Sequence, residues 1–88
     1  MSYRVVIRPS AERDLARIDP SHRRRLAAKI DALTQNPRPN GCVKLTGSAA
    51  LWRVRVGDYR IVYSISDVVQ IVEIIHVAHR REIYRGLP

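Results

Sequence analysis

The chain is poor in the residues that usually announce a stabilising cross-link or a membrane segment. A single cysteine, Cys42, rules out an intramolecular disulfide, so packing alone must hold the fold, as expected of a reduced, cytosolic protein. No stretch approaches the roughly 18 to 20 apolar residues needed to cross a bilayer. The N-terminal "MSYRVVIRPSAERD" has too short an apolar run for a signal peptide, so the expected location is cytoplasmic, away from any membrane. The three histidines and one cysteine lack zinc-like spacing and the eight carboxylates are scattered, so no metal site and no cofactor are expected. Repeats, low-complexity runs and interdomain linkers are also missing. "NPRPNG", Asn36 to Gly41, reads as an internal loop, and residues 1–88 form one domain. At this length only about 60 to 65% of the unfolded chain's surface can be buried, so the core is modest.

Acidic residues are scarce as well. Eight Asp and Glu face 16 Lys and Arg, for a formal charge of +8 and a pI near 10.8. Lysine is nearly missing too: only Lys29 and Lys44 are present, leaving 14 arginines. The guanidinium is a planar, permanently charged fork suited to phosphates and base edges. A high-GC genome would favour arginine over lysine codons, but it does not explain the net charge. An anionic partner is implied, with nucleic acid first and an acidic protein second.

What is there alternates between two periods. "YRVVIR", Tyr3 to Arg8, is β-branched and stops at Pro9-Ser10, which makes a first strand. Ser10 is placed to cap a short helix with Glu12 and Asp14 in its first turns and Ala11, Leu15 and Ile18 on one stripe. Asp19-Pro20 opens a second helix, whose Leu26, Ile30 and Leu33 recur at helical spacing and which ends before Pro37. Arg23, Arg24, Arg25 and Lys29 lie largely off that stripe. Beyond a short extended piece at Val43 to Leu45 the period becomes two. Leu51 to Val56 and Tyr59 to Ile65 flank the turn dipeptide Gly57-Asp58, and the apolar run Val69 to Ala78 reads as a central strand covered on both faces. The predicted fold is α+β: an N-terminal strand, two helices, then a three- to four-stranded, mostly antiparallel sheet with the helices on one face.

A two-residue turn at Gly57-Asp58 pairs Val56 with Tyr59, Arg55 with Arg60, Val54 with Ile61, Arg53 with Val62 and Trp52 with Tyr63. One face of this hairpin, with Trp52, Val54, Val56, Tyr59, Ile61 and Tyr63, is core. The other carries Arg53, Arg55, Arg60, Val62 and Ser64 and is expected to face solvent. Directly opposed arginines repel, by an amount on the order of the 0.2 to 1 kcal/mol typical of cross-strand pairs. Glu73 from the next strand or an external phosphate could offset that repulsion. The end of the third strand, "HVAHRREIYR", adds His79, Arg80, Arg81, Tyr84 and Arg85. An antiparallel third strand brings His79 and Arg80 toward Arg60 and Arg55. An even-length loop near Ser66-Asp67 puts Glu73 and His79 on the arginine face. Arg80 then needs a bulge, an odd-length loop or the end of the strand to join them. His22 reads as a solvated helix residue and His76 as a satisfied core histidine.

Clustered guanidiniums can stabilise the extra negative charge of a phosphoryl-transfer transition state, while an imidazole or a phenol moves protons. The stretches "NPRP", "KLTG", "WRVRVGDYRIVYSI" and "VAHRREIY" resemble the RelE branch of the RelE/ParE toxin superfamily, from about Tyr3 to Tyr84. The resemblance implies a toxin of a toxin–antitoxin pair: a metal-independent, ribosome-dependent mRNA endonuclease, cutting by 2′-hydroxyl attack and neutralised by an acidic antitoxin with which it assembles. It implies catalytic positions at Arg60, Arg80 and Tyr84, with His79 where relatives carry lysine or histidine. Arg53 and Arg55 stand where the family often has lysines, and with Arg81 and Lys44 they complete the expected contacts to RNA phosphates. The ParE branch, which poisons DNA gyrase without nuclease activity, and a non-catalytic nucleic-acid-binding module are the competing readings.

Overall fold

A computed structural model describes residues 2–47 and 50–83. The chain runs β1 (Arg4–Ile7), α1 (Pro9–Ala16), α2 (Pro20–Ala32), β2 (Val43–Lys44), β3 (Leu51–Val56), β4 (Tyr59–Ser66) and β5 (Ile71–His79). The α+β class and the initial strand are as expected, but the sheet has five strands rather than three or four, in the order β1-β5-β4-β3-β2. The two additions are edges. β1 joins β5 in parallel, with Arg4 opposite Ile71 and Ile7 opposite Ile74, and the two residues of β2 pair with Arg53 and Trp52 of β3. β5 therefore lies inside the sheet but β4 is its middle strand. β5 begins two residues later than its apolar run, leaving Val68 and Val69 exposed in the turn.

The apolar stripes of both helices meet the sheet as their spacing requires. Ala11, Ile18, Leu26, Ile30 and Leu33 pack with Val54, Ile61, Tyr63, Val72, Ile74 and Val77, and Trp52, Val56 and Tyr59 border this cluster. Tyr63 is fully buried and its hydroxyl donates to Pro37 O at 2.7 Å, which pins the loop after α2 to the sheet. Burial pushes the Tyr63 phenol strongly up, and neighbouring Cys42 adds to the shift.

Helix starts depart from expectation in one respect. Arg8, not Ser10, holds the cap position of α1, because Pro9 with its fixed φ already suits the first turn. Ser10 is thereby released, and its hydroxyl donates to Ile75 O at 2.9 Å. Asp14 of the same helix accepts from the Val77 N–H at 3.0 Å. The last β1 pair is Ile7 with Ile74, so these two side chains supply bonds that β5 would otherwise lack along its open edge. Asp19 does precede Pro20 at the start of α2, although its carboxylate accepts from the Ser21 hydroxyl instead of a helix N–H.

Candidate functional site

The hairpin turn organises everything near it. Gly57 has φ +60° and Asp58 does not share the positive φ, the pattern of a II′ turn that calls for glycine at its first central position. Leu51 faces Ser64, Trp52 Tyr63, Arg53 Val62 and Arg55 Arg60, so the register across the hairpin is the one its turn dictates. The three arginines nevertheless part company. Arg53 is buried at 8% exposure beside fully buried Val62, so the expected solvent-facing patch does not extend to them. Ile83, just past β5, is buried at 1%, and neither it nor Val62 belongs to the cluster under the helices. The Arg53 Nε has no hydrogen-bond partner among the described residues. Arg55 stays exposed at the open edge of β3. Arg60 bends over the turn, and its Nη1 donates to Gly57 O and Tyr59 O, both at 2.9 Å.

Two more guanidiniums reach the same turn. The Arg80 N–H donates to Asp58 O at 2.7 Å, and Arg80 Nε lies 3.9 Å from Asp58 Oδ1, an exposed pair of little energetic weight. From α2, Arg25 lies over Gly57: a Cβ built on that glycine would stand 3.3 Å and 3.4 Å from its two terminal nitrogens. Arg25, Arg60 and Arg80 thus gather round one turn from three separate segments. Sequence reasoning brought Arg60 and Arg80 together but read Arg25, with Arg23 and Arg24, only as a helix cation able to meet rRNA or the antitoxin. Arg25's one sequence signal is its place beside Leu26 at the border of the buried stripe, and only the way α2 crosses the hairpin turns that into a contact.

A β-bulge decides which side β5's last residues face. The four-residue turn Asp67 to Gln70 sets Ser64 opposite Glu73 and Tyr63 opposite Ile74, but Val62 then pairs with His76, leaving Ile75 as the extra residue. Past it the sides exchange. Ala78 faces Arg60 and His79 faces Tyr59, with the two rings edge to face at 5.8 Å and the His22 ring 5.3 Å from Tyr59. His79 therefore stands with the helix-side aromatics, while the next residue, Arg80, falls in with Arg60. Glu73, offered as the balancing carboxylate, binds Arg8 at 3.1 Å instead. His76 meets Asp14 through Nδ1 at 2.7 Å, and its Nε2 has no partner among the described residues, so it is only half satisfied. Lys44, opposite Trp52 on β2, and Arg81 are exposed. Tyr84 lies outside the described residues.

Comparisons with known proteins agree with this architecture. Residues 5–84 match the family model of the ParE toxin of type II toxin–antitoxin systems. Toxin RelE of Mycobacterium tuberculosis is 38% identical over 91 residues, spanning 98% of this chain and 90% of that protein. The archaeal RelE–RelB complex from Pyrococcus horikoshii superposes with a TM-score of 0.80 at 32% identity, over 91% of this chain and 97% of its own. The RelBE2 toxin–antitoxin complex of M. tuberculosis gives a TM-score of 0.82 at 28% identity, covering 91% of this chain and all of the other. No helix among the described residues is long and apolar enough to cross a membrane. With a family match across nearly its whole length and with this sheet, hairpin and arginine-ringed turn, the chain belongs to the RelE/ParE family of toxins.

Proposed function

We propose that this toxin is a cytoplasmic, metal-independent endoribonuclease that cuts mRNA on the ribosome and is held in check by an acidic antitoxin. The observation that carries the reading is the convergence of Arg60 and Arg80 on the Gly57-Asp58 turn, where one phosphodiester could meet both. In the proposed reaction the 2′-hydroxyl attacks the adjacent phosphorus, the 5′-oxygen leaves, and a 2′,3′-cyclic phosphate and a 5′-hydroxyl result. Arg60 and Arg80 stabilise the charge that builds on the non-bridging oxygens, and fixed turn carbonyls hold Arg60 for that task. Tyr84 and His79 are the chain's candidates for moving the protons off the nucleophile and onto the leaving oxygen. Arg53, Arg55, Arg81 and Lys44 are assigned to RNA phosphates, with the buried Arg53 acting on the field at the site more than by direct contact. Solved relatives carry a RelB antitoxin, and a net charge of +8 suits an acidic partner here.

A second reading, binding to DNA gyrase without nuclease activity, has two supports: the matching family description is that of ParE, and His79 faces Tyr59 rather than Arg60. Induction in bacteria, followed by mapping of mRNA 5′ ends, separates the two. Codon-phased cuts on translated messages, lost in Arg60→Ala and Arg80→Ala while far-UV circular dichroism is unchanged, support the nuclease. Undiminished cuts in Arg60→Ala overturn the assignment, and DNA-damage signalling without mRNA cuts supports the gyrase reading.

A further inference from the structure

Beside the arginine-ringed turn, an open groove of about 500 Å³ runs between α2 and the edge of β3 that β2 leaves uncovered. Three cations line it, Arg25, Lys29 and Arg55, and no carboxylate does. None of the three side chains has an ion-pair or hydrogen-bond partner among the described residues. Arg25 and Lys29 lie one helical turn apart, where like charges repel, and Arg55 adds a third charge from the strand. The groove wall between them is made of Ala28 and Ala32, small enough to let a backbone approach closely. At its hairpin end the groove meets Gly57, over which Arg25 already lies, so it opens directly onto the turn that holds Arg60 and Arg80.

We propose that this groove is a phosphate track for single-stranded RNA, holding the phosphates next to the one gripped at Arg60 and Arg80. The proposal rests on the RNA-directed part of the functional reading. An open, acid-free groove lined by three cations suits a polyanion whose successive phosphates can meet them in turn. The anion removes the mutual repulsion of three unpaired cations, which nothing within the described fold does.

The test compares wild type with R25Q/K29Q in the groove and with R23Q/R24Q, an equal loss of charge on exposed positions of the same helix that do not line it. The probe is a short single-stranded RNA with 2′-O-methyl riboses, which blocks the nucleophile, titrated by fluorescence anisotropy between about 50 and 200 mM salt. Two lost phosphate contacts should flatten the log–log salt slope of R25Q/K29Q by about 1.4, at about 0.7 per contact on a single strand, with R23Q/R24Q changing it by less than half as much. In the mRNA mapping assay R25Q/K29Q should cut at the same codons more slowly. Equal slopes in R25Q/K29Q and wild type overturn the track, as does an equal loss in R23Q/R24Q. Groove-dependent binding of poly-glutamate in preference to RNA overturns it in favour of an acidic protein. A groove-dependent RNA slope in a protein that makes no mRNA cuts keeps the track and removes the nuclease.

Discussion

At one end of the sheet Arg38 donates to both oxygens of Asp67, at 3.2 Å and 2.9 Å, and its guanidinium lies 5.1 Å from the Trp52 ring centre. Tyr3 donates its hydroxyl to the same carboxylate at 2.6 Å, and Tyr63 ties down Pro37 close by. At the other end, round Gly57-Asp58, the Arg25 side chain has no ion-pair or hydrogen-bond partner among the described residues, Arg60 donates to two backbone carbonyls, and Arg80 stands 3.9 Å from Asp58. The same side chain thus fastens loops where a matched acid awaits it. Where the described residues offer Arg25 no acid and Arg80 only a loose one, it leaves positive potential at the surface. Stability should therefore be sensitive at the Asp67 end, and anion chemistry at the Gly57 end.

That contrast can be attacked from either side, and the largest effect belongs to the turn. Arg60→Ala or Arg80→Ala should lower mRNA cleavage about 100- to 1000-fold each while leaving the thermal midpoint close to wild type. A loss of midpoint equal to that of a core variant would mean that the turn arginines are fasteners too. At the opposite end Tyr63→Phe strands the buried Pro37 carbonyl and should cost about 1 to 3 kcal/mol in denaturant unfolding, with cleavage kept at temperatures where the fold is intact. Gly57→Ala tests the join between architecture and charge. Its positive φ costs a residue with a Cβ about 1 to 2 kcal/mol, while the new methyl pushes the Arg25 guanidinium back by only a few tenths of an ångström, so stability should fall and RNA affinity change little.

The smallest expected effect is a pH dependence at the fastened end. Hydrogen bonds from Arg38 and then Tyr3 hold the Asp67 carboxyl below the usual carboxylate range. A carboxyl depressed in the folded state stabilises above its unfolded value, about 3.9, and loses that contribution as the pH falls through its folded value. Asp67→Asn should therefore flatten the decline in melting temperature below about pH 4 and leave mRNA cleavage at neutral pH unchanged. An unchanged acid limb would remove Asp67 from the account.

Local chemistry was legible in the sequence, and long-range geometry was not. Gly57-Asp58 dictates its own turn, so the hairpin register and the opposition of Arg55 and Arg60 could be read residue by residue. The stripes Ala11-Leu15-Ile18 and Leu26-Ile30-Leu33 likewise announced both helices and the face they cover. By contrast, nothing local to "YRVVIR" says that it lies parallel to β5, because that pairing depends on where two helices return the chain. Ile75 carries no glycine or proline to mark a bulge. The irregularity comes where β1 runs out and α1 takes over the edge through Ser10 and Asp14. The burial of Arg53 and the approach of Arg25 to Gly57 follow from how layers stack, which alternation along a strand does not encode.

The extra residue at Ile75 acts as a phase shifter for the C-terminal portion of the molecule. Straightening the bulge with every residue kept would set Ile75 opposite Val62, carry Arg80 across to the aromatic side and return His79 to the cationic one. The irregularity is therefore under as tight a constraint as the identity of any arginine, and a variant whose last strand ran straight at full length would keep the motif on paper while dismantling it in space.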